Sequence, residues 1–369
     1  MSKEFIFTYQ LHTTEQEVGR MAKSIAIEQT IEMPEHLVTD EWVRDTIIGK
    51  VISTSQKAED IFEVKASYYV EISDYQFPQF LNLLYGNISL YDGVKITNIE
   101  LPDSFLKHFK GPRIGIDGIR NKLKTYDRPL MATALKPIGT SVAKLADFCY
   151  QFAAGGIDMI KDDHSLADHS FCRFEERVRA CMQSIEKAEK ETGKRTLYFP
   201  NVTGRVERLE KQIEFAIDQG VGGIILHPFI IGLDLARYLI DEYAGKICFM
   251  GHLSMSGVFL QKHHGLAPHI VLGTLPRLAG FDAIIFPHYG GRFKFSKESC
   301  VSITEACRNK LGSLNSGIPM PAGGMNLENV DQEWQIYGKD VVLLIGGSLY
   351  GRSPDLKANV ECFQKKLTT

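Results

Sequence analysis

Residues 155–170 read GGIDMIKDDHSLADHS. A short apolar run at 157–160 stops at four consecutive ionisable residues, Lys161, Asp162, Asp163 and His164. The run has the length and composition of a buried parallel strand. In a β/α barrel the active site lies at the C-terminal strand ends, so a cation ligand set or an acid/base cluster belongs at such a place. A solvated loop leading to the next helix would look the same locally. The chain on either side has to decide.

From Pro129 onward, strand and helix alternate eight times. Strands are expected at 130–135, 157–160, 196–199, 223–226, 247–250, 283–286, 318–321 and 341–345. Amphipathic stretches such as 142–154, 175–192, 205–219 and 298–311 separate them. Short, continuously apolar strands between amphipathic helices indicate a parallel sheet covered on its outer face, and eight such units indicate a closed (β/α)8 TIM barrel. An open doubly wound sheet is the competing arrangement. A GxGxxG after the first strand would favour it, and none is there. Upstream, strands at 5–11, 49–55, 61–72 and 94–101 with helices at 14–27 and 77–85 suit a ferredoxin-like α+β domain. Residues 102–128 are polar and irregular and read as a connection. The expected organisation is a ferredoxin-like domain over 1–110 and a barrel over 111–369.

A net charge of −3 gives no electrostatic case for nucleic acid. No apolar run reaches the roughly 18 residues of a membrane helix, and the start, MSKEFIFTYQ, lacks a secretory signal. Seven cysteines are scattered singly, without a CxxC pair, as expected of reduced thiols in a cytoplasmic protein.

The barrel strand ends form one inventory. They carry Lys136-Pro137, the 161–164 tetrad, Pro200-Asn201, His227, His252, a region near His288, Ala322-Gly323-Gly324 and Gly346-Gly347-Ser348. Several histidines and two lysines on one rim point to an active site. Glycine pairs let backbone N–H groups approach an anion, and the loops after strands 7 and 8 are the recurrent phosphate site of this barrel. Gly323, Gly324, Gly346 and Gly347 therefore suggest a phosphorylated substrate. Lys136 and Lys161 occupy adjacent strand ends. A lysine desolvated beside another cation can accept a proton, form a Schiff base or take up CO2 as a carbamate; Lys136 can equally be an ion-pair partner of Asp162 or Asp163. Asp163 and His164 suggest a divalent metal. Oxygen ligands suit Mg2+, and a histidine nitrogen shifts the preference toward Mn2+, Fe2+ or Zn2+.

GPRIGIDGIRNKLKTYDRPLMATALKP, GGIDMIKDDH, PNVTG, PAGGMN and LIGGSLYG resemble, in order and spacing, the large chain of ribulose bisphosphate carboxylase, RuBisCO. In the N-terminal domain the resemblance is thinner, resting on AIEQT at 26–30 and YGN at 85–87. It implies a homodimer, with higher assemblies open, in which Glu28 and Asn87 of one subunit complete the neighbour's active site. The departures matter more. Where carboxylases have KPK, this chain has Lys136-Pro137-Ile138, and where they have KDDE, His164 replaces the glutamate. HIHRAMH becomes MGHLSMS, keeping His252 but placing Leu253 where an arginine grips a second phosphate. HIHSGT becomes AIIFPHYGG, and TGTW becomes Ile31-Glu32-Met33-Pro34. The combination resembles a non-carboxylating RuBisCO-like protein with a singly phosphorylated substrate. On that resemblance, Lys161 (carbamylated or not), Asp163 and His164 hold the metal, and Lys136 is the general acid/base. The four glycines hold the phosphate, while Asn201 and His252 orient sugar hydroxyls. Similar proteins act on methylthioribulose phosphates as enolases or isomerases. Others are decarboxylases or transcarboxylase/hydrolases of 3-oxo-isoapionate 4-phosphate. KDDH, KPIG and a polar entrance of His263, His264, His288 and Arg292 lean toward the latter. A metal-free Schiff-base aldolase and a non-catalytic phosphometabolite-binding barrel are the alternatives from other classes.

Overall fold

The computed structural model describes residues 3–368; Met1, Ser2 and Thr369, the outermost positions of the two expected domains, lie outside the described residues. The chain forms two compact units. One contains the N-terminal residues through Lys110 together with 255–271 and 310–314, and the other contains the remainder.

The N-terminal unit follows the expected order: β1 (Glu4–His12), α1 (Glu15–Glu28), β2 (Lys50–Ala58), β3 (Ile61–Tyr69), α2 (Phe77–Tyr85) and β4 (Val94–Glu100). β1 is central, antiparallel to both β3 and β4. Its apolar residues Phe5, Phe7, Tyr9 and Leu11 are fully buried, as period-2 alternation requires. A fifth strand, two residues long, comes from far downstream: Gly265–Leu266 pairs in parallel with Lys95 and Ile96 of β4. The sheet order is thus extended beyond the four strands of the ferredoxin-like plan.

In the second unit all eight expected strands form one parallel sheet. They are β5 (Leu130–Leu135), β6 (Met159–Asp162), β7 (Leu197–Phe199), β8 (Gly223–Leu226), β9 (Cys248–Gly251), then, after β10 (Gly265–Leu266), β11 (Ala283–Pro287), β12 (Ile318–Ala322) and β13 (Val342–Leu344). The ring closes between β7 and β8 through Gly222 N to Tyr198 O at 3.1 Å and Ile225 N to Pro200 O at 2.9 Å. Alternate residues of every barrel strand, from Leu130 and Ala132 round to Val342 and Leu344, share one apolar cluster. Only the barrel interior can bring all eight strands into one cluster.

Residues 102–128 differ from the irregular connection expected of them. Gly115–Leu123 is a helix, α3, and its Ile119 and Leu123 join the interior cluster. Asp282, just before β11, accepts from Ile114 N at 2.8 Å and Gly115 N at 2.7 Å. Arg120 reaches Asp340 and the Arg128 carbonyl, before β13 and β5. The helix therefore plugs the N-terminal mouth of the barrel. Two glycines in GIDGIRNKL weaken its helical signal.

Candidate active site

Strand parity decides which polar residues face the barrel axis. Side chains two apart share a face. Continuing inward from Ala132, Met159, Phe199, Ile225 and Met250 of the interior cluster leads to Lys136, Lys161, Asp163, Asn201, His227 and His252. Asp162, between two inward residues, points outward. It is fully buried and paired with Arg177 Nε at 3.1 Å, from the helix α4 (Phe174–Thr192). Tyr198 Oη donates to it at 2.7 Å and Asn201 N at 2.9 Å. Asp162 thus braces the strand from behind, and the expected partner of Lys136 resolves to Asp163, with Nζ to Oδ2 at 3.2 Å.

The inward set is electrostatically unusual. Lys161 is 3% exposed, and its Nζ donates to the Asp162 carbonyl at 2.8 Å. Burial pushes its ammonium down to about 8, against the pull of Asp163 and with help from Lys136. Burial works against the Asp163 carboxylate, but the Ser165 N–H and the charges of Lys136, Lys161 and His164 outweigh it and hold Asp163 below the usual range. His164 Nδ1 lies 3.1 Å from Asp163 Oδ1. Its ring stacks on His252 at 5.2 Å with planes 3° apart, and His252 in turn meets His227 at 4.9 Å. Burial, then the neighbouring lysines and histidines, keep His252 well below its ordinary value. Burial, with Lys161 and His164, brings His227 down to about 4. Burial thus disfavours the charged form of both imidazoles.

The glycine turns differ from each other. Gly323 and Gly324 have φ of 90° and 77°, and a Cβ on Gly324 would stand 2.1 Å from Gly290 O. Only glycine fits there. A Cβ on Gly346 or Gly347 would meet nothing within 4 Å, so that turn borders open space. Glu28 and Asn87 belong to the N-terminal unit, where Asn87 Nδ2 donates to Glu28 Oε1 at 2.9 Å. The intervening Gln29 anchors both segments by accepting from Ile88 N at 3.2 Å and donating to the Asn82 carbonyl at 3.1 Å.

One expectation about the entrance needs correction. His288 is fully buried, bonded to Tyr337 Oη at 2.8 Å and 3.3 Å from Glu333; it is a core group and not an entrance residue. His263 and His264 lie in the N-terminal unit, bonded to His12 and to Tyr85. Of the four, Arg292 is close enough for its charge to add to burial, Lys161 and Lys136 in lowering the His164 imidazolium. Sequence reasoning missed Tyr350, whose hydroxyl donates to the Ala134 carbonyl at 3.0 Å and accepts from Lys136 N at 3.2 Å. It clamps the end of β5 and with it the origin of the Lys136 side chain. Nothing in the sequence links residues 214 positions apart.

A divalent cation was expected on Lys161, Asp163 and His164. Asp163 and His164 offer an oxygen and a nitrogen close together. Among the described residues no group of three histidine, cysteine, aspartate or glutamate side chains converges to hold an ion. The donor set fits a cation once Lys161 supplies oxygens as a carbamate; an ammonium cannot be a ligand.

Residues 115–365 match the catalytic domain of the ribulose bisphosphate carboxylase large chain. The 5-methylthioribulose-1-phosphate isomerase of Rhodospirillum rubrum is 37% identical over 343 residues, 93% of this chain and 90% of that protein. A 2,3-diketo-5-methylthiopentyl-1-phosphate enolase of Geobacillus thermodenitrificans is 30% identical, over 95% of this chain and 88% of that protein. The crystal structure of a Rubisco-like protein from Rhodopseudomonas palustris superposes with a TM-score of 0.90 at 34% identity, covering 100% of this chain and 98% of that one. No helix among the described residues is long and apolar enough to cross a membrane. The chain belongs to the ribulose bisphosphate carboxylase large-chain family, among its RuBisCO-like members.

Proposed function

We propose that this protein enolises a singly phosphorylated methylthio-ketose, with 5-methylthioribulose 1-phosphate as the lead substrate, and does not fix CO2. The observation that carries the reading is Lys136 held 3.2 Å from Asp163, one strand from a buried Lys161 whose ammonium titrates near 8. Lys136 is exposed on the rim and free to reach a proton next to a substrate carbonyl. Asn201 and His252 face the same space and orient hydroxyls, and Gly323, Gly324, Gly346 and Gly347 receive the phosphate. Leu253, where the family resemblance implies an arginine, packs against the apolar cluster, which leaves no grip for a second phosphate.

The cation would sit on Asp163, His164 and a Lys161 carbamate. Mg2+ suits the oxygens, and the imidazole extends the range to Mn2+ or Fe2+. When bound it polarises the carbonyl as a Lewis acid. Depression of Lys161 toward 8 leaves a fraction of neutral amine at physiological pH to react with CO2. Glu28 and Asn87 complete the site of a partner subunit in a homodimer, and their mutual hydrogen bond presents them as one unit.

The sequence leaned instead toward 3-oxo-isoapionate 4-phosphate. That preference rested partly on the entrance histidines, which are otherwise engaged, and the relatives' names favour the methylthio sugars. The deciding experiment follows proton exchange next to the carbonyl of 5-methylthioribulose 1-phosphate by NMR in D2O, with Mg2+ and bicarbonate present. Exchange that is abolished by chelator supports the reading. Exchange that survives chelator and is trapped by borohydride supports the Schiff-base aldolase. No exchange with this ketose, but CO2 release from the branched sugar acid, returns the assignment to the decarboxylases.

A further inference from the structure

His227 is 1% exposed, and its Nδ1 has no hydrogen-bond partner. A buried polar atom left unpaired is costly and calls for a physical reason. The surrounding bonds determine what that atom is. Asn201 Nδ2 donates to the His164 carbonyl at 2.9 Å and approaches the Asp163 carbonyl at 3.5 Å. Those contacts set the orientation of the amide, so Oδ1 lies on its other side. Thr203 Oγ1 donates to that Oδ1 at 2.7 Å, and His227 Nε2 stands 3.1 Å from it. An amide oxygen only accepts, so the His227 proton is on Nε2. A neutral imidazole carries one proton, and Nδ1 is therefore a bare lone pair.

Its neighbour has the opposite character. Ser254 N donates to His252 Nδ1 at 3.2 Å, which makes that nitrogen an acceptor and the Ser254 hydroxyl, 2.8 Å away, a second donor to it, so His252 carries its proton on Nε2. Two imidazoles with ring centroids 4.9 Å apart and planes tilted by 36° thus carry one bare acceptor and one donor. A hydroxyl is the group that both donates and accepts.

We propose that His227 is a specificity-determining residue: its Nδ1 accepts the hydrogen bond of one hydroxyl of the sugar phosphate substrate, with His252 Nε2–H as the complementary donor. The proposal rests on the sugar-phosphate reading for its ligand, but its imidazole chemistry stands apart from it. Neither residue transfers a proton in this account. The Thr203–Asn201–His227 chain serves to hold one tautomer, and a ligand with a carbonyl or an ether in place of that hydroxyl would leave the lone pair unpaired.

The test has two arms. In the first, long-range 15N NMR of the ligand-free wild-type protein at pH 7 reads which ring nitrogen of His227 is protonated, assigned by loss of the signals in a His227→Phe variant. A protonated Nε2 with bare Nδ1 is expected. A proton on Nδ1 overturns the proposal whatever the substrate. In the second, titration calorimetry compares 5-methylthioribulose 1-phosphate with its 3-deoxy and 4-deoxy analogues. Wild type should bind one deoxy analogue about 5- to 150-fold more weakly than the parent, and His227→Phe, with its fold checked by circular dichroism, should bind the two alike. Equal discrimination by both proteins, or none by the wild type, overturns the proposal. If wild type fails to bind the parent sugar, the substrate reading falls, and the tautomer decides the imidazole claim.

Discussion

Replacing Lys161 with methionine should stabilise the fold while abolishing the chemistry. Lys161 is buried, and its ammonium titrates near 8 instead of 10.5. A drop of that size corresponds to ~3 kcal/mol of cost for keeping the charge inside. Below pH 8 the lysine is protonated in both the folded and the unfolded chain, so the full cost weighs on the native state. Between pH 8 and 10.5 the unfolded chain binds more protons than the folded one, stability rises with pH, and above 10.5 the cost is gone. Methionine keeps most of the side-chain length without the charge. Losing the Nζ bond to the Asp162 carbonyl subtracts ~1 kcal/mol. The Lys161→Met protein should therefore exceed wild type by ~1–2 kcal/mol at pH 7, with the gap closing toward pH 10. Urea unfolding of both proteins in CO2-free buffer at the two pH values measures it. A variant no more stable than wild type at pH 7, or a gap constant with pH, refutes the account. Bicarbonate gives a second reading, because carbamylation should stabilise wild type and leave the variant unchanged.

Lys136→Ala should lower kcat by about 10²- to 10⁴-fold while a sugar monophosphate still binds; unchanged turnover removes Lys136 from the mechanism. Glu28→Gln should be impaired although Glu28 lies outside the barrel unit, and mixing it with Lys136→Ala protein should recover activity on subunit exchange. Failure to recover after exchange argues against shared sites. Arg177→Met strands a fully buried Asp162 and should cost about 3–5 kcal/mol in urea unfolding. Adding Asp162→Asn should recover part of that, and losses that simply add would show the pair uncoupled.

The barrel was legible because its strands are short and mostly apolar; 130–135 and 223–226 coincide with β5 and β8. At β6 the apolar run at 157–160 gave way to an observed strand two residues further on, Met159–Asp162. Charge normally ends a buried strand, but here Asp162 is matched by Arg177 behind the sheet and Lys161 keeps its place at the expense of its pKa. Parity alone would have separated Asp162 from Lys161 and Asp163. The tautomer of His227 was beyond reach, since it depends on the orientation of an amide 26 residues away. His288 misled because exposure was inferred from polarity, whereas it is buried against Tyr337 and Glu333.

Three residues after His252 the chain enters the segment 255–271, whose Gly265–Leu266 completes the N-terminal sheet beside β4. Lys95 of β4 also donates to the carbonyl of Gln261 in that segment, at 2.9 Å. This threading limits how such proteins can be recombined. A chimaera joined once, near residue 110, would set this chain's Gly265–Leu266 against a foreign β4. Exchanging the N-terminal unit between relatives requires 255–271 and 310–314 to travel with it, so three stretches far apart in the gene have to be inherited together.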